Sequence, residues 1–221
     1  MTRNTYIDLS NVGHYFESGD QTIHLFDDLN LTLNRKEVTS IVGSSGAGKS
    51  SLLSLAAGLE EPKLGTVTFV KDKEKVSAED YRQNIGFIFQ QFHLLPEMDA
   101  LNNLALPMRL KGMDSAFEEA AEWLSFIGLS DRAGHKPSQL SGGEQQRIAI
   151  ARAFISEPDY IFADEPTGNL DVSTAASISD LMLDCAEETG CGLVLVTHSR
   201  QLAEKASIQF ELVNNRLECA A

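Results

Sequence analysis

The first candidate site is a glycine-rich segment, Gly43-Ser44-Ser45-Gly46-Ala47-Gly48-Lys49-Ser50. It fits the phosphate-binding pattern G-x-x-x-x-G-K-[ST], in which the glycines let the backbone turn tightly and approach phosphate groups. The exposed N–H groups and the N-terminus of the following helix add positive potential. We expect Lys49 to reach the β- and γ-phosphates and the Ser50 hydroxyl to bind Mg²⁺. The alternative, a Gly/Ser turn before a surface helix, is disfavoured by the buried strand predicted just before the loop.

Two adjacent carboxylates follow a second apolar run, Tyr160-Ile161-Phe162-Ala163. Asp164 would stand at the tip of a buried strand, where it can hold Mg²⁺ beside the loop. Glu165 points to the other side of the chain and could polarise a water molecule for attack on the γ-phosphate. An Asp-Glu pair after a strand is also common at a helix N-cap, so the pair alone leaves that alternative open. Together with the loop, two carboxylates with different tasks indicate hydrolysis.

A third apolar run, Leu193-Val194-Leu195-Val196, leads into Thr197 and His198. His198 could hydrogen-bond a γ-phosphate or the attacking water. A histidine at a strand end is also often a structural residue whose hydrogen bonds are satisfied within the protein. Because ligands bind at the carboxyl ends of strands in open α/β sheets, the polar residues after all three runs predict one shared site.

A second unusual helix start lies at Leu140-Ser141-Gly142-Gly143-Glu144-Gln145-Gln146-Arg147. Ser141 and Glu144 have the spacing of a capping box, and an ordinary helix start is the alternative. The two glycines, however, leave backbone N–H groups uncovered and make a second anion site. Both sites would be used if the second site contacts a nucleotide that is bound by another copy of the chain. The sequence shows the two sites and leaves their pairing open.

The elements that must position these residues form an α/β pattern. Residues 38–42, 160–163 and 193–196 are short, almost wholly apolar runs, which predict strands of a parallel sheet buried on both faces. The first 35 residues alternate apolar and polar positions, which predicts antiparallel strands with one wet face.

The stretch between the loop and the second apolar run is rich in helix patterns, and we expect an inserted helical subdomain at about residues 91–158. Within it, residues 116–127 predict an amphipathic helix whose glutamates face water. Its expected buried residues are Phe117, Ala120, Ala121, Leu124 and Ile127.

Charge and composition limit the partners. Of 221 residues, 32 are Asp or Glu and 18 are Lys or Arg, so the formal charge is −14. This argues against non-specific nucleic-acid binding and against direct attachment to an anionic membrane. No run of about 18 apolar residues exists, and the first residues lack the apolar stretch of a secretory signal. Three cysteines without a CxxC spacing argue against a disulfide framework or a zinc site. We expect a reduced, cytoplasmic protein.

In these motifs the chain resembles the nucleotide-binding subunits of ABC transporters. The resemblance depends on LSGGE, with the phosphate loop before it and FADEP after it. It implies one P-loop NTPase domain over residues 1–221, with a parallel-sheet α/β core, an antiparallel β subdomain and the inserted helical subdomain. It also implies that two subunits close head-to-tail over two ATP molecules. Each ATP would lie between residues 43–50 of one subunit and 141–144 of the other.

The resemblance also assigns roles to single residues. Gln90 matches a glutamine that touches Mg²⁺ and senses a transmembrane partner, and Tyr15, next to Phe16, matches an aromatic that stacks on adenine. Asp171 matches a loop that crosses the dimer interface. The expected ATP contacts are Tyr15, Gly43, Ser44, Ser45, Gly46, Ala47, Gly48, Lys49, Ser50, Ser51, Ser141, Gly142, Gly143, Glu144 and Asp171. The expected metal ligands are Ser50, Gln90 and Asp164, and the expected catalytic residues are Lys49, Gln90, the base Glu165 and the switch histidine His198.

Two longer stretches, FADEPTGNLD and GFIFQQFHLLP, are similar to one bacterial subgroup that includes lipoprotein-releasing, macrolide-exporting and cell-division ATPases. The chain departs from the family pattern at three places. Lys36 stands where glycine is usual, Ser51 where threonine is usual, and Lys71-Asp72-Lys73 where a glycine turn is usual. None of these departures removes a catalytic group.

The resemblance therefore implies an Mg-ATP-hydrolysing subunit that powers an inner-membrane complex for lipoprotein or lipid release or for export of hydrophobic compounds. The membrane partner would be a separate permease chain that meets residues 90 to about 109 from the cytoplasmic side. One alternative is an ATPase that regulates a membrane partner without translocation, as in the cell-division members. A soluble ABC ATPase that acts on DNA or ribosomes is disfavoured by the net charge of −14.

Overall fold

The computed structural model of the chain describes residues 5–19 and 21–219. Residues Met1–Asn4, on which the expectation about a secretory signal partly rests, lie outside this part. The strands in the described part are β1 (Tyr6–Ser18), β2 (Gln21–Asn34), β3 (Val38–Gly43), β4 (Leu64–Lys71), β5 (Glu74–Val76), β6 (Ile85–Phe89), β7 (Tyr160–Asp164), β8 (Gly192–Val196), β9 (Ile208–Val213) and β10 (Arg216–Cys219). The helices there are α1 (Lys49–Ala56), α2 (Ala78–Arg82), α3 (Ala100–Leu110), α4 (Ala116–Phe126), α5 (Gly142–Phe154), α6 (Val172–Thr189) and α7 (Arg200–Ala203).

The central sheet has six strands in the order β10-β9-β3-β8-β7-β6. Strand β3 pairs in parallel with β8 and β9, β8 with β7, and β7 with β6. The three apolar runs are the neighbouring strands β3, β8 and β7, so the predicted parallel sheet is confirmed. Their carboxyl ends therefore meet at one edge of the sheet.

Both faces of β7 are buried, which explains its unbroken apolar run. Tyr160 and Phe162 belong to a core formed with α1 and the antiparallel strands. Ile161 and Ala163 belong to a second core, formed with helices α3 to α6. Since successive side chains of a strand point to opposite faces, each core receives every second residue.

A second sheet has four strands in the order β2-β1-β4-β5, and all its pairs are antiparallel. This confirms the expectation for the first 35 residues. The two sheets meet at Tyr160, a fully buried residue whose hydroxyl lies 3.0 Å from the carbonyl oxygen of Leu33 and 3.1 Å from that of Thr5. Burial raises the pKa of Tyr160 far above its usual value, so the hydroxyl keeps its proton and donates it.

The stretch between β6 and β7 holds three helices, α3, α4 and α5, together with the short 3₁₀ turns Ser130–Arg132 and Pro137–Gln139. This agrees with the helix-rich character expected for residues 91–158. None of the helices in the described ranges is long and apolar enough to span a bilayer.

The predicted buried face of α4 is partly wrong. Ala120, Leu124 and Ile127 are buried as expected, but Phe117 is 43% exposed and Ala121 is exposed. Phe117 and Ala121 each follow a buried alanine by one residue, which turns them about 100° away from the core. The Phe117 ring instead lies under the Arg109 guanidinium, whose carbon atom is 5.2 Å from the centroid of the ring.

Candidate functional site

The loop between β3 and α1 requires glycine at two left-handed positions. Gly46 has a φ of +79° and Gly48 a φ of +96°, a region that L side chains rarely adopt. A Cβ on Gly48 would also lie 3.1 Å from the ring of Phe26. Helix α1 begins without a side-chain cap and has no acidic residue in its first turn. The N–H groups at this helix start are therefore available to an anion.

The side chain of Lys49 turns back into this loop. Its ammonium donates hydrogen bonds to the carbonyl oxygens of Gly43 at 2.9 Å and Ser44 at 3.1 Å. Lys49 is only 8% exposed, and no carboxylate within the described ranges pairs with it. A largely buried cation held by neutral carbonyls is a strong site for a phosphate group.

A cleft of about 580 Å³ opens over the loop at the carboxyl edge of the central sheet. It joins the polar residues that follow β3, β7 and β8, as the three apolar runs predict. The residues that line the cleft are Phe16, Leu25, Ser45, Gly46, Gly48, Lys49, Ser50, Ser51, Gln90, Asp164, Glu165 and His198. Gly43, Ser44 and Ala47 belong to the loop but do not line this cleft.

Glu165 and His198 contact each other inside the cleft. One carboxylate oxygen of Glu165 lies 2.9 Å from His198 Nδ1 and accepts a hydrogen bond from the His198 backbone N–H at 3.2 Å. The backbone N–H of Glu165 donates to the carbonyl oxygen of Val196 at 3.0 Å. Glu165 has a left-handed φ of +47°, so its position depends on these contacts with the end of β8. A carboxylate held in this way can accept a proton from a water molecule.

The oxygen groups of Ser50, Gln90 and Asp164 line the same cleft. A hydroxyl, an amide carbonyl and a carboxylate are hard ligands, and such a donor set suits Mg²⁺ and not a soft metal. The Gln90 amide nitrogen donates to Asn169 Oδ1 at 2.9 Å, and Asn169 Nδ2 donates to the Gln90 backbone carbonyl at 3.1 Å. Because the Gln90 nitrogen is used in this pair, its amide oxygen stays available to a metal.

The aromatic residue on the cleft wall is Phe16 and not Tyr15. Phe16 is 43% exposed and lines the cleft together with Leu25. The Tyr15 ring lies beside His24, with the ring centroids 5.6 Å apart, and it does not line the cleft. Neighbouring residues of a strand point to opposite faces, so only one of the two can meet a ligand in the cleft. The geometry favours Phe16 over Tyr15 for contact with a base.

The second predicted anion site lies outside this cleft. Ser141 caps α5, and its backbone N–H and hydroxyl both donate to Glu144 Oε2 at 2.8 Å, so the predicted capping box is present. The pKa of Glu144 is lowered to about 2, first by the Ser141 backbone N–H and then by Arg132. Gly142 and Gly143 complete the helix start. A single copy of the chain therefore does not bring this helix start to the phosphate loop.

Asp171 also lies outside the cleft and caps a helix. Its carboxylate accepts hydrogen bonds from the backbone N–H groups of Ser173 at 3.1 Å and Thr174 at 3.0 Å, at the start of α6. The hydroxyl groups of the same two residues donate to it as well, and together these bonds lower the pKa of Asp171 well below its usual value. Asp171 is exposed, so it is accessible to a second chain.

Helix α5 also makes contacts that the sequence did not predict. The buried Gln146 donates its amide to the carbonyl oxygen of Pro166 at 2.6 Å, next to Glu165. Arg152 donates to the carbonyl oxygens of His93 at 2.9 Å and Phe92 at 3.2 Å, just after Gln90. Only the position of Gln146 in the LSGGEQQR motif could have indicated its importance. Nothing local in the sequence identifies Arg152.

Comparisons with known proteins agree with this geometry. A family model described as "ABC transporter" matches residues 26–168. The "Lipoprotein-releasing system ATP-binding protein LolD" of Idiomarina loihiensis is 45% identical over 199 residues, which cover 86% of this chain and 86% of that protein. The protein of the same name from Rickettsia felis is 40% identical over 219 residues, with 98% and 99% coverage.

Two solved structures of the ATP-binding cassette MJ0796 are also similar. One is described as a dimeric post-hydrolysis state bound to ADP and Pi, and the other as the dimeric structure of a bacterial ABC transporter cassette. Each has a TM-score of 0.82 and 36% sequence identity and covers 96% of both chains. The P-loop ABC fold expected from the motifs is thereby confirmed.

Because the Lys49 ammonium is buried beside the loop, we expect truncation of this side chain to weaken triphosphate binding strongly. In Lys49→Ala the negative charge of the phosphates goes uncompensated, and a charge-assisted hydrogen bond of about 1.5–3 kcal/mol is lost, which corresponds to roughly tenfold to a hundredfold weaker binding. Titration with a fluorescent ATP analogue measures the change. Lys63→Ala, which removes an exposed lysine outside the cleft, is the control. Equal affinity of Lys49→Ala and the unchanged protein would contradict the assignment.

The geometry of the cleft wall predicts that Phe16 and Tyr15 contribute differently to nucleotide affinity. Phe16→Ala should weaken binding of the same analogue by about 1–2 kcal/mol, roughly fivefold to thirtyfold, because base–aromatic stacking is lost. Tyr15→Ala is the matched control and should change the affinity by less than about twofold, since its ring faces His24. The reverse order of effects would restore Tyr15 as the stacking residue.

Proposed function

We propose, from the premise that the chain belongs to the ABC transporter family, that it is the ATP-hydrolysing subunit of a bacterial inner-membrane ABC complex for lipoprotein release. The chain is an ABC ATPase by its family and by its similarity to solved cassettes. The observation that carries the proposed chemistry is the single cleft that holds Lys49, Asp164 and the Glu165–His198 contact. A phosphate-binding loop alone would suit many reactions, whereas a positioned base beside it suits attack by water.

ATP would bind with its phosphates on the loop and its base against Phe16. Lys49 and the N–H groups at the start of α1 compensate the charge of the β- and γ-phosphates. Ser50, Asp164 and Gln90 would hold Mg²⁺, which when bound neutralises phosphate charge. Glu165 accepts a proton from the attacking water, and His198 holds the Glu165 carboxylate at the position from which it can do so.

The complete site would need a second copy of the chain. The helix start at Ser141, Gly142, Gly143 and Glu144 is exposed or partly exposed and lies outside the chain's own cleft. Both MJ0796 structures are described as dimers. A head-to-tail pair would bring this second anion-binding helix start to the γ-phosphate held by the other copy. Asp171, exposed at the start of α6, would lie at the same interface.

The membrane partner would be a separate permease chain. Exposed Phe89 and Leu95, 40% and 39% accessible, lie on either side of Gln90 at the start of the predicted partner-facing stretch, residues 90 to about 109. A contiguous patch of exposed apolar side chains is typical of a protein-binding surface, and these two residues would form part of such a patch. Residues 91–158 would form the helical subdomain that carries this surface. Arg152 would link the surface to α5 through the carbonyl oxygens of Phe92 and His93.

Lipoprotein release is favoured over the cell-division alternative because the similar proteins from Idiomarina and Rickettsia carry the lipoprotein-releasing name. The cargo itself would be bound by the membrane chain. The protein would thus be attached to the cytoplasmic side of the inner membrane through its partner.

Hydrolysis is tested by Glu165→Gln, which keeps the size and the hydrogen-bonding shape of the side chain but removes the base. We expect ATP affinity within about threefold of the original and a kcat lowered by about a hundredfold or more. The variant should accumulate as an ATP-bound dimer, measured by sedimentation. Normal hydrolysis by the variant, checked against a preparation that also carries Lys49→Ala to exclude contaminating ATPases, would refute the base assignment.

The transport role is tested by purifying the tagged chain from membranes of its own organism. A permease with a large extracytoplasmic region should copurify. In proteoliposomes, the complex should release a lipid-anchored protein to an acceptor in an ATP-dependent reaction, and the complex with Glu165→Gln should not. Copurification of a membrane protein whose partner enzyme is activated without any release would support the regulatory alternative instead.

A further inference from the structure

Glu144, the acidic residue in the first turn of α5, forms an ion pair with one residue in the described part of the chain. The Arg132 Nε donates to Glu144 Oε1 at 2.9 Å, from the 3₁₀ turn Ser130–Arg132 that precedes the helix. The other carboxylate oxygen of Glu144 accepts from the backbone N–H and the hydroxyl of Ser141. Both oxygens of Glu144 are therefore held, one by Arg132 and one by the helix cap.

This arrangement matters because Glu144 is an anion at a helix start that, on the proposed function, must receive a triphosphate. Glu144 is ionised at neutral pH, as any solvent-accessible glutamate is, and its contacts with Ser141 and Arg132 lower its pKa further. A carboxylate near the γ-phosphate of the second copy would repel it and would compete for the same positive helix end. A nearby cation is needed to offset this repulsion.

Arg147, the other arginine near this helix start, is engaged elsewhere. It donates to the Ile127 carbonyl oxygen at 3.3 Å and to the Ser177 hydroxyl at 2.7 Å, which tie α5 to the end of α4 and to α6. Arg132, in contrast, donates its hydrogen bond directly to the Glu144 carboxylate. Its side chain is 44% exposed, and exposed ion pairs contribute little to folding stability. A role for Arg132 in binding can therefore be separated from a role in folding.

We propose that Arg132 is a positioning residue for ATP-dependent closure of the dimer: it holds Glu144 against Ser141 and neutralises its charge, so that the start of α5 accepts the triphosphate bound to the second copy. The proposal rests on the two-copy site of the proposed function. It concerns the approach of the second copy and leaves binding of ATP to the chain's own loop unchanged.

The test uses Glu165→Gln as the parent, because hydrolysis is then too slow to reopen the dimer. Sedimentation measures the protein concentration at which half of the chain is dimeric in saturating Mg-ATP. Adding Arg132→Ala should raise that concentration by about fivefold or more, since like charges now face each other. The effect should shrink as salt rises from about 0.05 to 0.5 M, because salt screens exposed charges. Affinity for a fluorescent ATP analogue should not change when it is measured far below that midpoint, where the chain is monomeric and binding is not coupled to closure.

Glu144→Gln supplies the decisive comparison, since glutamine keeps the acceptor of the capping box but carries no charge. In this background Arg132→Ala should change the dimerisation midpoint by less than about twofold, because no charge is left to neutralise. Arg132→Lys keeps the charge and should retain most of the closure. Lys205→Ala, which breaks the exposed ion pair between Lys205 and Asp180, removes an equal charge elsewhere and should have no effect.

Four results would overturn the proposal. Arg132→Ala without effect on dimerisation would show that the charge of Glu144 needs no partner. An equal loss in the parent and in the Glu144→Gln background would show that Arg132 does not act through Glu144. A loss that salt does not reduce would show that Arg132 only supports the fold. If the parent itself stays monomeric while it binds ATP, the two-copy site of the proposed function is wrong and this proposal fails with it. That last result is read from the parent alone, so the two failures are distinguishable.

Discussion

A buried ammonium group that no carboxylate of the described chain pairs with is the constraint on which the site depends. Among the described residues Lys49 is held by the carbonyl oxygens of Gly43 and Ser44, and neutral dipoles offset only part of the several kcal/mol that desolvating a cation costs. The uncapped start of α1 adds positive potential at the same point. A bound phosphate group would pair with the Lys49 ammonium and with the N–H groups at the start of α1. The surrounding structure is thus arranged to receive a highly charged anion, and the remaining side chains act on that anion.

The parallel sheet places the chemistry beside this charge. Asp164 pairs in register with Val196 at the carboxyl ends of β7 and β8, and the next residue, Glu165, donates its N–H to the Val196 carbonyl oxygen. This hydrogen bond brings the carboxylate of Glu165 to His198, which follows β8 by two residues. The relation between base and phosphate loop is therefore set by backbone hydrogen bonds of the sheet, which are rigid compared with a flexible loop.

Helix α5 connects the three surfaces on which a transporter ATPase must act. Its first turn, with Glu144, faces a second copy in the proposed dimer. Gln146 contacts the segment after Glu165, and Arg152 holds the segment after Gln90 that would face the membrane partner. In the proposed dimer one helix would thus join all three places, and a shift at one of them would be passed to the others. The energetic basis would be discrete hydrogen-bonded contacts and not general flexibility.

The sequence by itself determined the features that depend on local spacing. The phosphate loop, the three parallel strands and the capping box at Ser141 are short patterns whose geometry follows from backbone periodicity and turn chemistry. What it did not determine was which side chain meets which partner across the fold. Phe117 is exposed despite its apolar character, Phe16 and not Tyr15 reaches the cleft, and Asn169 and Arg132 contact Gln90 and Glu144. Only the tertiary structure decided these, because each depends on packing between segments far apart in the chain.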